Sequence, residues 1–233
     1  MNGYFRVGLV AVAALFASQV ALAAVPLVQV GDKIVFSDGN GASPGGAFIQ
    51  TDYNSAGTIV KGSFQSFCLE TNETMSYGPF FTVGGITTDA KNGGSGGSIG
   101  SPLHDPLDVK TAWLYTQYIE TPSVLDSVAG WTAATAVQKG TAMQQAVWRI
   151  EQETLFIDPS NTLATALITA AGNSGWTDTG RVYVLNMVNS SGGNAQDQLY
   201  ISPVPEPEIY AMLAAGLGFM SFVARRRKQQ AAA

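Results

Sequence analysis

The sequence predicts an α+β domain, an antiparallel β-sandwich or barrel with an inserted helical region, between an N-terminal signal peptide and a C-terminal transmembrane helix. Strand-like runs of β-branched and aromatic residues at both ends of the domain, with helical periodicity in its middle, predict this class. A short apolar run at each terminus predicts the flanking segments. The chain has 233 residues, which suits one domain over residues 24–203 with two terminal additions.

Residues 1–23 have the three parts of a secretory signal peptide. Arg6 supplies the positive charge, Val7 to Phe16 form the apolar stretch, and Ala21-Leu22-Ala23 offers small residues for signal peptidase. We expect cleavage after Ala23, with Ala24 as second choice. A permanent membrane helix is less favoured, because the run is short and ends at a small-residue site.

The β part of the domain consists of six strand-like runs bounded by Gly, Asn or Pro. They are Val28–Phe36, Ala47–Asp52, Thr58–Leu69, Pro79–Val83, Arg181–Val188 and Gln198–Ile201. The Gly- and Ser-rich residues 91–100 are interpreted as a flexible loop, and residues 190–194 as a turn.

The central third has helical rather than strand-like periodicity. Helices are expected over Pro106–Glu120, Lys139–Thr154 and Thr162–Ala171. Asp108, close to the start of the first, is favourable to the helix dipole. Because helices interrupt two groups of strands, the helical region is predicted to be an insertion in an antiparallel sheet.

Composition excludes several functional classes. Residues 24–203 contain seven Lys or Arg against fifteen Asp or Glu, a net charge of −8, so we expect no nucleic-acid partner. One Cys and one His exclude an intramolecular disulfide, a Cys-based zinc cluster and most His-rich sites. We therefore expect no metal and no cofactor.

The C-terminal segment, residues 204–228, combines three features in a fixed order. Val204, Pro205, Glu206 and Pro207 come first, followed by the apolar run Ile209 to Ala224 and the basic residues Arg225, Arg226, Arg227 and Lys228. Sixteen helical residues span roughly 24 Å, a little less than the bilayer core of about 30 Å, and the basic side chains can cover the difference. Positive charge stays cytoplasmic, so the preceding domain is expected outside the cytoplasm.

This segment resembles the PEP-CTERM sorting tail of Gram-negative bacteria. The resemblance implies recognition by the membrane protease exosortase, cleavage near Pro205-Glu206-Pro207, and transfer from transient inner-membrane anchoring to the cell envelope or an extracellular exopolysaccharide matrix. Such a tail is an address and does not identify the activity of its cargo.

Four roles compete for the single cysteine, Cys68. It could be a small buried hydrophobe, a half of an intermolecular disulfide, a nucleophile with His104 as base, or a residue joined covalently to another side chain. The nucleophile role is the least favoured, since His104 lies in a loop and no protease-like pattern surrounds Cys68.

Gln144 and Trp148 favour the covalent role. Their i, i+4 spacing puts them on one face of the predicted helix, where an aromatic ring would keep water away from the carboxamide. A nearby thiolate could then displace ammonia from Gln144 and leave a thioester, which survives only where water is excluded. In the alternative interpretation Trp148 fills the core and Gln144 is solvated, beside an ordinary core stripe of Met143, Ala146, Val147 and Ile150.

These residues resemble the bacterial surface thioester domains. Phe67-Cys68-Leu69 matches their aromatic-Cys-apolar motif, and residues 144–148 match their Gln-x-Ala-apolar-Trp motif, with Met143 where that family usually has Thr. The resemblance implies a Cys68–Gln144 thioester shielded by Phe67 and Trp148, with Gln145 only a variable residue.

The expected function is therefore that of an exported, envelope-sorted surface or matrix protein that attaches to an amine or hydroxyl group of a partner surface. It would react once per molecule, and so would not be an enzyme. The alternative is a non-covalent structural protein of the exopolysaccharide or biofilm matrix, with an inert, buried Cys68.

Overall fold

The computed structural model describes residues 25–41 and 45–204, together with Leu217 and Met220, both helical. The predicted signal peptide with Ala23, the motif residues Pro205, Glu206 and Pro207, and the basic residues Arg225, Arg226 and Arg227 lie outside the described residues. So does the predicted helix 209–224, apart from the same two residues. In the described part of the chain, no helix is long and apolar enough to cross a membrane.

Within these residues the chain forms eight strands, three α-helices and a short 3-10 helix. In chain order they are β1 Lys33–Asp38, β2 Phe48–Tyr53, β3 Val60–Ser66, β4 Phe80–Thr87, β5 Asp89–Lys91, β6 His104–Pro106, α1 Val109–Glu120, the 3-10 helix Pro122–Ser127, α2 Ala136–Ile150, α3 Thr162–Gly172, β7 Val182–Val188 and β8 Asn194–Ile201. The α+β class is confirmed by the antiparallel sheet and by the helices inserted between β6 and β7.

Six of the strands pair antiparallel in the order β3-β2-β1-β4-β7-β8. The two edges of this sheet meet through residues 67–69, which directly follow β3. Leu69 N–H donates to the Asp197 carbonyl and Leu199 N–H to the Phe67 carbonyl, each at 3.1 Å, and Cys68 forms an antiparallel bridge with Gln198. The strand pairings therefore run in a closed ring, with Cys68 at its seam.

The ends of α1 and α2 depart from the prediction at three places, and local capping explains the first two. Pro106 belongs to β6, and α1 begins after Asp108, whose side chain accepts a hydrogen bond from the Lys110 N–H. The second helix, α2, begins after Thr135, which forms a capping box with Gln138. It ends at Ile150, before the predicted Thr154, because Gln152 has a φ of 62° that a continuing helix does not allow.

The apolar core has two parts, one on each side of the sheet. One lies between the sheet and the helices and includes Phe67, Leu199 and Met143. The other lies on the opposite side and includes Cys68 and Tyr200. Since successive side chains of an extended segment point to opposite faces, Phe67 and Cys68 enter different parts of the core.

Candidate functional site

The structure brings Cys68 and Gln144 into direct contact, although 76 positions separate them in the sequence. The Cys68 N–H donates to Gln144 Oε1 at 2.9 Å, and Gln144 Nε2 donates to the Cys68 carbonyl at 2.7 Å. Both residues are 1% exposed, so the interpretation of Gln144 as a solvated helix residue is wrong. Segment 67–69 presents the cysteine from the seam, and α2 presents the glutamine.

One of these contacts has a direct chemical consequence for the carboxamide. A nucleophile that attacks the carbonyl carbon of Gln144 drives negative charge onto Oε1. The Cys68 N–H already donates to that atom, in the manner of one donor of an oxyanion hole. The carboxamide is thus held and polarised by the backbone of the residue that carries the thiol.

Burial raises the pKa of the Cys68 thiol far above its ordinary value. A hydrogen bond from Gln198 Nε2 to Cys68 Sγ, at 3.3 Å, acts in the opposite direction, and the nearby Glu70 acts with burial. Gln198 is in turn held by Gln50, whose Nε2 donates to Gln198 Oε1 at 3.1 Å. The thiol is therefore neutral at rest and lies in a pre-formed, fully buried amide network.

A cavity of about 480 Å³ opens beside Cys68, while Gln144 lies behind the residues that line it. Cys68 and Trp148 form part of its inner wall, and its lining includes Phe156, Tyr77, Asp38 and Glu73. Phe156 and Tyr77 are more than half exposed, so both rings lie near solvent. Such a cavity, lined by apolar and aromatic side chains together with several polar groups, is the usual form of a small-molecule or side-chain binding site.

Gly45, in the loop between β1 and β2, packs closely against Gln144 and Trp148. A Cβ atom at this position would lie 2.7 Å from Gln144 Cγ and 2.6 Å from Trp148 Cη2. This contact confirms that Gln144 and Trp148 share one face of α2. Trp148, which is 2% exposed, therefore lies beside the Gln144 side chain, in a position consistent with its predicted shielding role.

Phe67, the second predicted shielding residue, does not lie beside the cavity as Trp148 does. Its ring is fully buried on the helical side of the sheet, in edge contact with Tyr115 and Tyr118 at centroid distances of 6.3 and 5.1 Å, and it does not line the cavity. His104 also lies away from the cavity lining, with its ring Nδ1 2.9 Å from Asp89 Oδ1.

Gln145 has a structural role that the sequence did not indicate. Its Nε2 donates to the Phe156 carbonyl at 2.9 Å, and its Oε1 accepts from the Asp158 N–H at 2.7 Å. These bonds hold the segment that places Phe156 at the cavity, where the ring of Phe156 lies 6.3 Å from that of Trp148. Two adjacent glutamines in a helix that faces the core were the only sequence signal for this arrangement.

Three carboxylates also meet near the site. Glu70, Glu73 and Asp197 each offer an oxygen within 4.8 Å of the others'. Only Glu73 of the three also lines the cavity. The predicted last strand begins only at Gln198, but Gln196 and Asp197 also lie inside β8, and all three residues are buried.

Comparison with known proteins identifies the tail alone. Residues 203–228 match the family model of the PEP-CTERM protein-sorting motif, which confirms the resemblance seen in the sequence. No curated protein and no solved structure matches the chain. The chain is thus an exported protein with exosortase as its processing partner, and it passes the membrane to the envelope or the extracellular space.

Proposed function

We propose that this exported protein attaches itself covalently to an amine or hydroxyl group on a partner surface through an internal thioester between Cys68 and Gln144. The observation that carries the proposal is the pair of hydrogen bonds, 2.9 and 2.7 Å long, that fixes the Gln144 carboxamide on the backbone of Cys68. The backbone of Cys68 holds the Gln144 carboxamide beside the residue that carries the thiol. This arrangement provides the proximity that condensation requires.

The chemistry balances without any further reactant. Cys68 Sγ attacks the Gln144 carbonyl carbon, the carbon–nitrogen bond breaks, and the amide nitrogen leaves as ammonia with the thiol proton. An amine or hydroxyl then attacks the same carbon, the carbon–sulfur bond breaks, and the acceptor's proton passes to the sulfur. The thiol is regenerated but the carboxamide is not, so each molecule reacts once and the protein is not an enzyme.

The surroundings favour survival of the thioester until an acceptor arrives. Trp148 and Gly45 pack against Gln144 on the cavity side. Water is the competing acceptor, so this packing sets the lifetime of the bond. The cavity admits an acceptor through the region lined by Tyr77 and Phe156.

Intact mass of the purified exported protein tests the proposal. We expect a mass lower than that of the processed sequence by one ammonia, and a methylamine adduct at Gln144 that exposes an alkylatable thiol. Cys68→Ser and Gln144→Glu should each abolish the mass loss and the adduct. Gln138→Glu is the matched control, because it makes the same change at an exposed position of α2.

An unmodified mass, with a thiol that is fully alkylated under denaturing conditions, would overturn the proposal. That result would favour the second candidate, a non-covalent structural protein of the exopolysaccharide or biofilm matrix. The observation in its favour is the deep burial of Cys68 and the strongly raised pKa of its thiol, which are typical of an inert cysteine. In that case Cys68→Ser leaves attachment to the matrix unchanged.

A further inference from the structure

The cluster of Glu70, Glu73 and Asp197 lies close to the Cys68–Gln144 pair but supplies no reacting atom to the thioester chemistry. Glu70 and Asp197 are each 1% exposed, and Glu73 is half-buried. None of the ion pairs found among the described residues includes any of the three. Three carboxylates thus lie together without a direct positive partner, an arrangement that is costly in a buried site.

Hydrogen bonds from other parts of the chain hold each carboxylate in place, and inside the cluster the side chains of Glu70 and Glu73 lie within hydrogen-bond reach of each other. Glu70 Oε1 accepts from the Asp197 N–H at 2.5 Å, and Glu73 Oε1 accepts from Asn92 Nδ2 at 3.0 Å. The second oxygen of each glutamate, Oε2, is buried and accepts no hydrogen bond from a donor elsewhere in the described chain. Buried acceptors without donors are rare, and a bound ion is one of the few arrangements that satisfies them.

The third member, Asp197, is oriented just as firmly. Its Oδ1 accepts from the Met187 N–H at 2.7 Å, while Oδ2 accepts from the Lys91 N–H at 2.7 Å and from Asn186 Nδ2 at 2.8 Å. These bonds come from β5 and β7, so the carboxylate of β8 is fixed by two other strands. The site is therefore built by the fold.

We propose that Glu70, Glu73 and Asp197 bind a divalent cation of the hard, oxygen-preferring class, with Ca²⁺ as the ion that fits best. A set made only of carboxylates suits Ca²⁺ or Mg²⁺ rather than a metal that prefers nitrogen or sulfur. Ca²⁺ tolerates irregular geometry, whereas Mg²⁺ demands a near-ideal octahedron. The counts of Cys and His that argued against a metal in the sequence do not bear on a site of this kind.

The destination of the protein is a further feature that supports the cation. The sorting motif sends the protein out of the cytoplasm, where modules that bind Ca²⁺ with dissociation constants of about 10⁻⁴–10⁻³ M are effective.

The cation would tie the segment after Cys68 to β8. Glu70 and Glu73 belong to that segment, and residues 73–77 form one wall of the cavity. Cation binding would therefore stabilise this wall, whether or not the thioester forms.

Calorimetric and thermal titration of the purified full-length chain, freed of metal by a chelator, tests the proposal with CaCl₂ as the probe. We expect saturable binding of one Ca²⁺ and a rise of about 2–4 °C in Tm at saturating Ca²⁺. Glu73→Gln should weaken binding at least tenfold, and Asp126→Asn, which removes an exposed acidic group elsewhere, should leave it unchanged. Cys68→Ser should also leave it unchanged, which separates this proposal from the thioester.

The proposal is overturned if millimolar Ca²⁺ gives neither saturable heat nor a shift in Tm. It is equally overturned if Glu73→Gln and Asp126→Asn bind alike, since that result indicates general screening of surface charge. A Tm that rises in Glu70→Gln, in chelator and Ca²⁺ alike, would show that a shared proton and not a cation occupies the cluster.

Discussion

The side chain of Gln144 forms hydrogen bonds with the backbone of Cys68 in the same way as a neighbouring strand of a sheet would. It donates to the carbonyl and accepts from the N–H of the same residue, as the partner in an antiparallel hydrogen-bonded pair would. A carboxylate could only accept, and an alkyl side chain could do neither. The glutamine therefore has a structural reason to be present, separate from any reaction with the thiol.

Gln144→Ala should lower the free energy of unfolding by about 2–4 kcal/mol, because it leaves two buried backbone groups of Cys68 unpaired. Chemical denaturation monitored by tryptophan fluorescence measures this loss. In the control, Gln138→Ala at the exposed start of α2, the loss should be about 1 kcal/mol or less. Equal losses in the two variants would show that the Gln144 hydrogen bonds stabilise the fold no more than those of an exposed glutamine.

Gly45 makes a second prediction at the scale of one residue. It has a φ of 89°, and an added Cβ would overlap Gln144 and Trp148. Gly78 has a similar φ of 95° but open space around its Cβ position. Gly45→Ala should therefore cost about 1–3 kcal/mol more than Gly78→Ala in the free energy of unfolding, since both carry the same backbone strain and only the first adds a clash. The same denaturation measurement compares the two variants. An equal loss of stability in both would contradict the close packing of Gly45 against Gln144.

At the scale of the element, α2 joins the site to the segment that follows it. Gln144 contacts the seam of the ring, while Gln145 holds residues 156–158. Phe156 has a φ of 59°, a left-handed conformation that a side chain other than glycine adopts only when its surroundings hold it. One turn of α2 thus fixes both the carboxamide and an aromatic ring at the cavity.

Gln145→Ala should release this segment and speed amide hydrogen exchange at Asp158 by at least tenfold, because the Asp158 N–H loses its acceptor. Exchange at Ala164, whose N–H donates to Asn161 Oδ1 at the start of α3, should stay unchanged. Mass spectrometry of the exchanged peptides measures the exchange rates at Asp158 and Ala164 separately. Unchanged exchange at Asp158 would show that other contacts hold the segment.

The longer elements could be predicted from the sequence because their patterns are strong. All six predicted strands overlap a strand of the ring, since β-branched and aromatic residues of alternating burial mark them. The strands β5 and β6 have only three residues each, too few for a periodic pattern to develop. For this reason Lys91 was assigned to a flexible loop, although it belongs to β5.

Part of β8 was missed for a different reason. Gln196 and Asp197 are polar, so the predicted strand begins only at Gln198, yet both are buried because the site supplies partners for them. Gln196 Nε2 donates to the Glu70 carbonyl, and Gln198 Nε2 donates to Cys68 Sγ. Polarity misleads where a functional site replaces the apolar core, since the partners of such residues are distant in the sequence.

At the scale of the whole molecule, the sequence predicted the pair Cys68 and Gln144 from local motifs but could not predict the seam that joins them. Closure of the ring depends on contacts between residues 67–69 and β8, more than 120 positions apart. Hydrophobic periodicity carries no information about such long-range pairing. The sorting motif, in contrast, is local and was recognised in full.

The sorting motif predicts how processing responds to a change in the tail. Glu206→Ala, in the Pro-Glu-Pro motif, should block recognition by exosortase and leave the protein in the inner-membrane fraction at a higher mass. Immunoblots of fractionated native cells measure both properties. Glu120→Ala, within the folded domain, is the control and should be processed normally. Normal processing of Glu206→Ala would show that recognition does not require the central acid of the motif.

Buried acids should give the folded protein an unusual dependence on pH. Burial, aided by Asp105 and Asp108, raises the pKa of Glu151 to about 8, and burial likewise raises those of Asp105 and Asp52 to about 6. Because the folded state holds these protons more tightly than the unfolded chain, their stabilising effect is complete below about pH 4 and is lost as the pH rises through the folded-state values.

The free energy of unfolding should therefore increase as the pH falls from about 8 to about 5, and Glu151→Gln should remove the part of that increase between about pH 8 and pH 6, on the order of a few kcal/mol. Urea denaturation at a series of pH values at constant ionic strength measures the slope. Asp126→Asn, at an exposed position, should keep the wild-type slope. A wild-type protein less stable at pH 5.5 than at pH 8 would show that these carboxyl groups are ionised in the folded state and have partners other than those described.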